Sequence, residues 1–366
     1  MKKRTAVLLT AALCLLPSAC GGGESVETLP STPEPVPSVS AAPEPTPEPT
    51  QEVYDGPVNH LTGLPMEEEQ AEARPVAIML NNLKNALPQQ GNGEADIIYE
   101  VVAEGGITRM LALYQSIDGL GVVGSVRSAR PYYIELALGH DAVYIHAGGS
   151  TQAYSDLKSW DVDHMDGVNG PYSYAGADLF WRDRNRIEGK RYDYEHSLIT
   201  SGEKIRKALD ESGFRLEYAD GYESTLSFAE DGTPAEGETA RTITVPFSNY
   251  KTGVFRYDEG SGLYLVEEYG EAYVDGNDGG QVAVTNVLVL SAKIRSTGDS
   301  YGHMTVDLSG GDGWFACGGR LIPITWEKGE PNEPIRYYTA DGQPLELGQG
   351  KSYVNIVSTD REITWE

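Results

Sequence analysis

The chain has 366 residues and is strongly acidic, with 55 Asp and Glu against 28 Lys and Arg and a formal net charge of −27. This charge disfavours general binding to nucleic acid, whose phosphates require a basic face. It also disfavours electrostatic adsorption to anionic lipid, so any membrane attachment has to be hydrophobic or covalent. Two of the three cysteines lie in the first twenty residues, which leaves Cys317 alone and excludes a disulfide framework in the body.

Residues 1–20 are predicted to be a lipoprotein signal peptide. Three basic residues precede an apolar run that is too short to span a bilayer as a permanent helix. Small residues, Ser18 and Ala19, precede Cys20, and three glycines follow it, so we expect cleavage before Cys20 and a lipid on its sulfur. Pro17 stands where an aliphatic residue is usual, and the alternative is a plain secretory signal.

Residues 21–53 are rich in proline and glutamate and are predicted to be a disordered linker. Eight of the 21 prolines fall between positions 30 and 49, and repeated Pro-Glu and Pro-Thr steps favour an extended polyproline conformation. Such a segment acts as a stalk between a membrane anchor and a folded body, or as an unstructured leader of no required length.

Residues 54–213 predict an N-terminal α/β domain with a mixed sheet, because strand-like runs alternate with helical patterns. The predicted strands cover residues 76–80, 95–103, 107–115, 122–126 and 142–146. The second and third are predicted to form a hairpin, or one bent pair, across Glu104-Gly105-Gly106. The predicted helices cover residues 132–138, capped by Ser128 with Pro131 in the first turn, 151–158, capped by Ser150, and 202–212, closed by Gly213.

Residues 214–366 predict a second, mainly antiparallel β-rich domain. Runs such as TITVPF, GLYLVEEY, QVAVTNVLVLSAKI and YVNIVS are separated by acidic and glycine-containing turns, and no helical pattern appears among them. The alternative is that these strands extend the first sheet.

Several segments resemble the YerB-type family of bacterial lipoproteins. The similar stretches are LTGLP, RPVAIMLNN, ADIIYE, EGGITRMLALYQ, VGSVRSARPYYIELAL, YIHAGGSTQAY and FWRDRNR, followed by NVLVL and LIPITWEKGEPNEPIRYYTADGQPLELGQGKSYVNIVS. The likeness covers most of residues 59–358 and implies a two-domain, lipid-anchored envelope protein. The sequence departs from the family pattern after FWRDRNR, where EHSLITS stands in place of an Ala-Pro-His-Asn-like step. The resemblance leaves the biochemical role open.

The first candidate site is a group of arginines at predicted strand ends. Arg109 lies near the start of the third predicted strand, and Arg127 and Arg130 flank Ser128 at the start of a predicted helix. Arg182, with Arg184 and Arg186, follows in a long loop. Guanidinium groups beside a helix N-terminus are suited to phosphate or carboxylate. The alternative is that each arginine pairs with an acid of this acidic chain.

Polar residues near the same strand ends complete the candidate site. Asn81 and Asn82 follow the first strand, Glu104 lies in the hairpin, and His146 and Ser150 flank the Gly-Gly step after the fifth strand. Open α/β sheets bind ligands where strand ends meet glycine-rich loops. A histidine at this position is a potential acid or base, and it is more commonly a structural hydrogen-bonding residue.

Three functions remain open on these residues. We favour a non-catalytic protein that is anchored to the outer face of the cell membrane through Cys20. It would bind an anionic or glycan-containing ligand, such as a cell-wall fragment, or a partner protein of the envelope. An extracellular enzyme acting on phosphate-linked cell-wall polymers is the alternative, by fold-level analogy, and a scaffold with purely structural arginines is the third.

No catalytic residue, cofactor or metal site is predicted. The six histidines are scattered, and the motif GxxxxGKS does not occur in the sequence. Ser125, in GSVRS, lacks the glycine two residues later that a GxSxG nucleophile elbow requires.

Overall fold

A sheet of twelve strands runs through the computed structural model, which describes residues 54–366. The predicted signal peptide, the lipidation of Cys20 and the predicted disordered linker all lie outside the described residues. No helix within residues 54–366 is long and apolar enough to cross a membrane.

Strands outnumber helices throughout the described chain. The helices are α1 (Glu68–Glu72), α2 (Pro131–Gly139), α3 (Thr151–Ser159) and α4 (Gly202–Ser212), with single 3-10 turns at Lys84–Ala86, Glu104–Gly106 and Tyr194–His196. The strands before residue 213 are β1 (Val76–Asn81), β2 (Ile97–Val102), β3 (Thr108–Tyr114), β4 (Val122–Gly124), β5 (Val143–His146), β6 (His164–Asp166), β7 (Trp181–Arg182) and β8 (Leu198–Ser201).

Fifteen further strands follow, without another helix in the described chain. They are β9 (Ser227–Ala229), β10 (Glu238–Thr239), β11 (Thr242–Pro246), β12 (Thr252–Asp258), β13 (Leu263–Glu268), β14 (Glu271–Ala272), β15 (Ala283–Val284), β16 (Asn286–Ser296), β17 (Met304–Asp307), β18 (Gly310–Cys317), β19 (Arg320–Glu327), β20 (Arg336–Thr339), β21 (Glu346–Gly348), β22 (Ser352–Ser358) and β23 (Thr364–Trp365).

The large sheet takes strands from both ends of the chain. Its order is β10-β19-β18-β16-β22-β2-β3-β1-β5-β6, with β17 beside β16 and β20 beside β19. In its N-terminal part β1, β5 and β6 are parallel while β2-β3 and β3-β1 are antiparallel, so this part is mixed. In its C-terminal part the β16-β18-β19-β20 pairings are antiparallel. The predicted fold class, a mixed N-terminal sheet followed by mainly antiparallel strands, is confirmed.

Strand β22 joins the two parts, because it pairs in parallel with β2 on one side and with β16 on the other. A second sheet of six strands has the order β14-β13-β12-β11-β23, with β15 beside β13. The predicted boundary between two domains at residues 213 and 214 stays a prediction. One hydrogen-bonded sheet includes strands from both sides of that position.

The central strands are apolar because both of their faces are covered. In β1 the side chains of Val76, Ile78 and Leu80 face a core that also contains residues of the six-stranded sheet, such as Phe255. The alternating residues face a second core, which includes α2 and α3. Helices therefore cover one face and the second sheet covers the other.

Helix boundaries follow local capping chemistry. The Ser150 hydroxyl accepts from the Ala153 N–H at the start of α3, and Ser201 does the same for Lys204 in α4. Helix α4 ends at Gly213, which adopts φ 74°. The predicted cap of α2 requires correction, because its N-cap is Arg130, without a side-chain cap, and not Ser128. Pro131 fixes the start of α2 immediately after Arg130, which places Ser128 too early to cap it.

We predict that Ile356→Ala lowers the free energy of unfolding by about 2–5 kcal/mol, the range for truncating a buried isoleucine. Ile356 lies fully buried in β22, between β2 and β16. Urea unfolding followed by circular dichroism measures the change. The control is Ile294→Ala, at a half-buried position near the end of β16, and an equal loss in both variants would contradict the central role of β22.

Candidate functional site

The parallel strands β1, β5 and β6 end at the same edge of the sheet. The segment after β4 crosses this edge: the Arg127 N–H donates to the Met79 carbonyl, and the Ala147 N–H donates to the Arg127 carbonyl, each at 2.9 Å. The turn between β2 and β3 lies there too, because Asn81 at the end of β1 pairs with Arg109 at the start of β3. The topology therefore gathers several polar residues that are distant in sequence.

Arg109 and Arg130 share the carboxylate of Glu104. Both guanidinium groups donate to Oε1 of Glu104, and for Arg130 the distance is 2.8 Å. Arg130 also donates to Oε2 at 3.2 Å. Burial opposes ionisation of Glu104, yet the charges of Arg109 and Arg130 hold its pKa below the usual value. Glu104 is therefore a carboxylate at neutral pH, held between two cations.

Arg127 and Arg182 reach neighbouring backbone carbonyls of the loop before β8. Arg127 donates to the Glu195 carbonyl at 3.0 Å, and Arg182 donates to the Tyr194 carbonyl at 2.7 Å. The Arg182 guanidinium also lies 3.9 Å from the ring centroid of Tyr194. We call Arg109, Arg127, Arg130 and Arg182 the arginine cluster.

Hydrogen-bonding capacity remains unused in the arginine cluster. The Nε atoms of Arg109, Arg127 and Arg182 are buried and have no hydrogen-bond partner within the described residues. Burial, together with the charge of Arg130, lowers the pKa of Arg109 to about 10. Burial is also the main reason that the pKa of Arg127 is lowered. Both groups nevertheless stay charged at neutral pH.

Two of the predicted polar residues lie on opposite faces of the sheet end. Asn81 is buried beside the cluster and donates to Oγ of Ser125 while contacting Nδ1 of His196. Asn82 points the other way and donates to Glu100 and Thr108 in the interior. Adjacent residues of a strand face opposite sides, so the structure does not bring Asn82 to the arginine cluster.

His146 is buried in a hydrogen-bonded pair of histidines. Its Nε2 lies 3.0 Å from Nδ1 of His164, and its Nδ1 lies 2.8 Å from the Gly148 carbonyl. Burial lowers the pKa of His146 to about 4, although Asp166 opposes the shift. His146 is therefore neutral at neutral pH and has no exposed surface. This arrangement fits a structural histidine better than a proton-transfer group.

A cleft of about 680 Å³ opens beside the arginine cluster. Arg130 and Pro131, at the start of α2, form one part of its wall, and Ser150 and Thr151, at the start of α3, form another. The two helix N-termini are held side by side by a parallel bridge between Ala129 and Gly149. Unpaired N–H groups and the positive ends of two helix dipoles therefore face one space.

The far wall of the cleft comes from the loop between β16 and β17, which the sequence did not identify. It contributes Thr297, Asp299, Ser300, Tyr301, His303, Met304 and Thr305. The side chain of Tyr301 is largely exposed, at 76%. In the sequence, the available signal of a binding loop was a tyrosine in a segment rich in Ser, Gly and Asp. Nothing in the sequence indicates that this loop faces Arg130.

Two family models match the chain on either side of this site. Residues 61–215 match the N-terminal domain, and residues 243–354 the C-terminal domain, of a family described as "Protein of unknown function (DUF3048)". The chain belongs to the DUF3048 family. Both matched ranges contribute to the cleft, because Arg130 and Ser150 lie in the first and residues 297–305 lie in the second.

The predicted resemblance to the YerB-type family is confirmed by a similar bacterial protein. The "Putative lipoprotein YerB" of Bacillus subtilis (strain 168) is 33% identical over 303 residues, which cover 81% of this chain and 85% of that protein. The crystal structure of the Bacillus subtilis YerB protein is similar with a TM-score of 0.71 and 32% identity, covering 84% of this chain and 99% of that chain.

We predict that Glu104→Gln lowers the free energy of unfolding by about 3–5 kcal/mol at neutral pH, because it leaves Arg109 and Arg130 buried without a counter-charge. The pKa of Glu104 is lower in the folded protein, so its contribution is complete above the unfolded value of about 4.3. The contribution is lost as pH falls through the folded value. Denaturant unfolding of both proteins across this range measures the difference, and a gap that persists unchanged in acid contradicts the assignment.

Proposed function

We propose that this protein is a lipoprotein anchored to the outer face of the cell membrane. Its arginine cluster, in this proposal, binds an anionic ligand, and a phosphate-bearing fragment of the cell wall fits best. The anchoring is supported by the sequence around Cys20 and by the similarity to the "Putative lipoprotein YerB" of Bacillus subtilis, which is 33% identical. The ligand class is supported by the charge balance at the site.

The charge balance of the arginine cluster differs from that of the exposed, paired arginines Arg215 and Arg241. Arg215 pairs with Asp141 at 2.6 Å, and Arg241 pairs with Glu259 at the same distance. In the cluster, Arg109 and Arg130 share the carboxylate of Glu104. Arg127 and Arg182 donate instead to backbone carbonyls, those of Glu195 and Tyr194. Three of the four guanidinium groups keep a buried Nε without a partner, and this is the observation that carries the proposal.

An anion with oxygen acceptors provides hydrogen-bond partners for the N–H donors that are unpaired in the arginine cluster and at the cleft wall. Guanidinium groups bind phosphate oxygens through paired, charge-assisted hydrogen bonds. The N-termini of α2 and α3 add N–H donors and positive potential at the cleft wall. The chain has a net charge of −27, so its surface in general repels anions. A local concentration of positive groups therefore attracts anions to one place.

Binding is favoured over catalysis by the state of the two candidate proton carriers. Glu104 is held as a carboxylate between two arginines, and His146 is fully buried with a pKa lowered to about 4. A general acid or base works best with a pKa near the operating pH and within reach of the substrate. Neither residue meets both conditions.

We predict that pyrophosphate or a glycerol-phosphate oligomer raises the melting temperature of the protein and that Arg127→Ala and Arg130→Ala weaken this effect. The loss of charged hydrogen bonds, each worth about 1.5–3 kcal/mol, corresponds to roughly a tenfold or greater loss of affinity. Thermal-shift titration gives the affinities.

Arg241→Ala is the matched control, because it removes the same charge from an exposed pair outside the cluster. It should leave the affinity unchanged. An uncharged disaccharide of the cell wall serves as the second control and should not stabilise the protein. Equal stabilisation of all three variants by the phosphate compounds, or stabilisation by none of these compounds, would overturn the proposed site.

A further inference from the structure

A lysine and two glutamates form a closed cluster where the two large sheets pack. Lys251 lies just before β12, Glu268 ends β13 and Glu100 lies in β2. Their relative exposures are 1%, 1% and 0%. Lys251 Nζ lies 2.9 Å from Oε1 of Glu100 and also contacts Oε2 of Glu268. This cluster is distinct from the arginine cluster and has no part in the proposed anion binding.

The two carboxyl groups have different surroundings. Glu100 accepts hydrogen bonds from Asn82 at 2.8 Å, from Thr108 at 2.6 Å and from Tyr353 at 2.6 Å. Both carboxyl oxygens of Glu100 therefore have hydrogen-bond donors. Glu268 has only Lys251 and, at 3.4 Å, the Tyr353 hydroxyl as partners. Burial and the neighbouring charge of Glu100 raise the pKa of Glu268, which favours its neutral acid form.

We propose that Lys251 and Glu268 react with each other inside the folded protein to form an amide cross-link, with Glu100 as the base. The parts needed are a primary amine, a carboxyl carbon beside it and a carboxylate that contacts the amine. All three are present, held within a site that excludes water. Aromatic rings close the site, since Lys251 Nζ lies 5.2 Å from the ring centroid of Phe247 and 5.3 Å from that of Tyr269.

The reaction balances without any further reagent. Glu100 takes one proton from the Lys251 ammonium group, and the free amine attacks Cδ of the neutral Glu268 acid. A C–N bond forms and the C–Oε2 bond breaks, so that Oε2 leaves as water with the acid proton and a second proton from the nitrogen. Oε1 becomes the amide oxygen, and it is the atom beside the Tyr353 hydroxyl. Glu100 ends protonated.

Two physical effects favour this reaction in the fold. Holding the amine against the carboxyl group provides an effective concentration of order 10⁵ M or more, by analogy with well-oriented intramolecular reactions. The product also removes formal charge from the interior, because the ammonium and the carboxylate are both neutralised. Separate buried charges are costly to keep away from water. The product joins the two ends of the β12-β13 hairpin, in which Gly253 pairs with Glu268.

Tryptic digestion of the full-length chain tests the cross-link directly. Trypsin does not cleave after an amidated lysine, so peptide 242–256 should remain intact and be joined to peptide 257–293. The mass of the joined pair should be lower than the sum of the two peptides by one water molecule. Lys328 is the control, because it is also buried but donates to the backbone carbonyls of Glu330 and Pro331. It should be cleaved normally once the protein is denatured.

Glu100→Gln should give linear peptides only, because it removes the base while keeping a similar shape. Circular dichroism establishes whether this variant is folded, and the wild-type digest decides the question even if it is not. A wild-type digest that yields free peptide 242–251 and unlinked 257–293 would overturn the proposal. A link from Lys251 to peptide 85–109 would also overturn it, since that peptide carries Glu100 and not Glu268.

Discussion

The parallel pairing of β22 with β2 and β16 is the constraint on which the architecture depends. It places a strand from the end of the chain at the centre of a sheet that begins with β1. Because both faces of this sheet are covered, its central strands are almost continuously apolar. Polar and charged residues are then confined to the ends of the strands and to the few buried clusters that their partners stabilise.

The buried charges of the two clusters are compensated in different ways. In the arginine cluster, Glu104 neutralises part of an excess of positive charge, and Arg130 lines an open cleft. In the interior cluster, Lys251 contacts the carboxyl groups of Glu100 and Glu268, and all three side chains are buried. An open, positively charged cluster is suited to an external ligand. A closed cluster can be neutralised only by proton transfer or by reaction between its own members.

Local patterns in the sequence were sufficient to predict most of the N-terminal elements. The β2-β3 hairpin and the caps of α3 and α4 follow from apolar runs, Gly-Gly steps and serines at the right spacing. The convergence of Arg109 with Arg130 was also suggested by their positions at strand ends. These features depend on interactions between residues that are near in sequence or on a topology that alternating strands and helices imply.

Strand pairings between distant parts of the chain could not be predicted from the sequence. The β22-β2 pairing joins residues some 250 positions apart, and no local pattern identifies the partner of a buried strand. For the same reason the loop at residues 297–305 was not assigned to the cleft, and Lys251 was not linked to Glu100. Asn82 was grouped with Asn81 because the two are adjacent, but their side chains have different partners: Asn81 contacts His196, and Asn82 donates to Glu100.

The central claim is that the arginine cluster is incomplete without an external anion. Nitrogen-15 NMR of the arginine Nε–H groups tests it most directly, during titration with pyrophosphate. The account predicts that the Nε–H signals of Arg109, Arg127 and Arg182 shift and become protected from exchange with solvent, while that of the exposed Arg241 does not. Unchanged signals from all three cluster arginines at saturating pyrophosphate, or a shift at Arg241 of equal size, would contradict it.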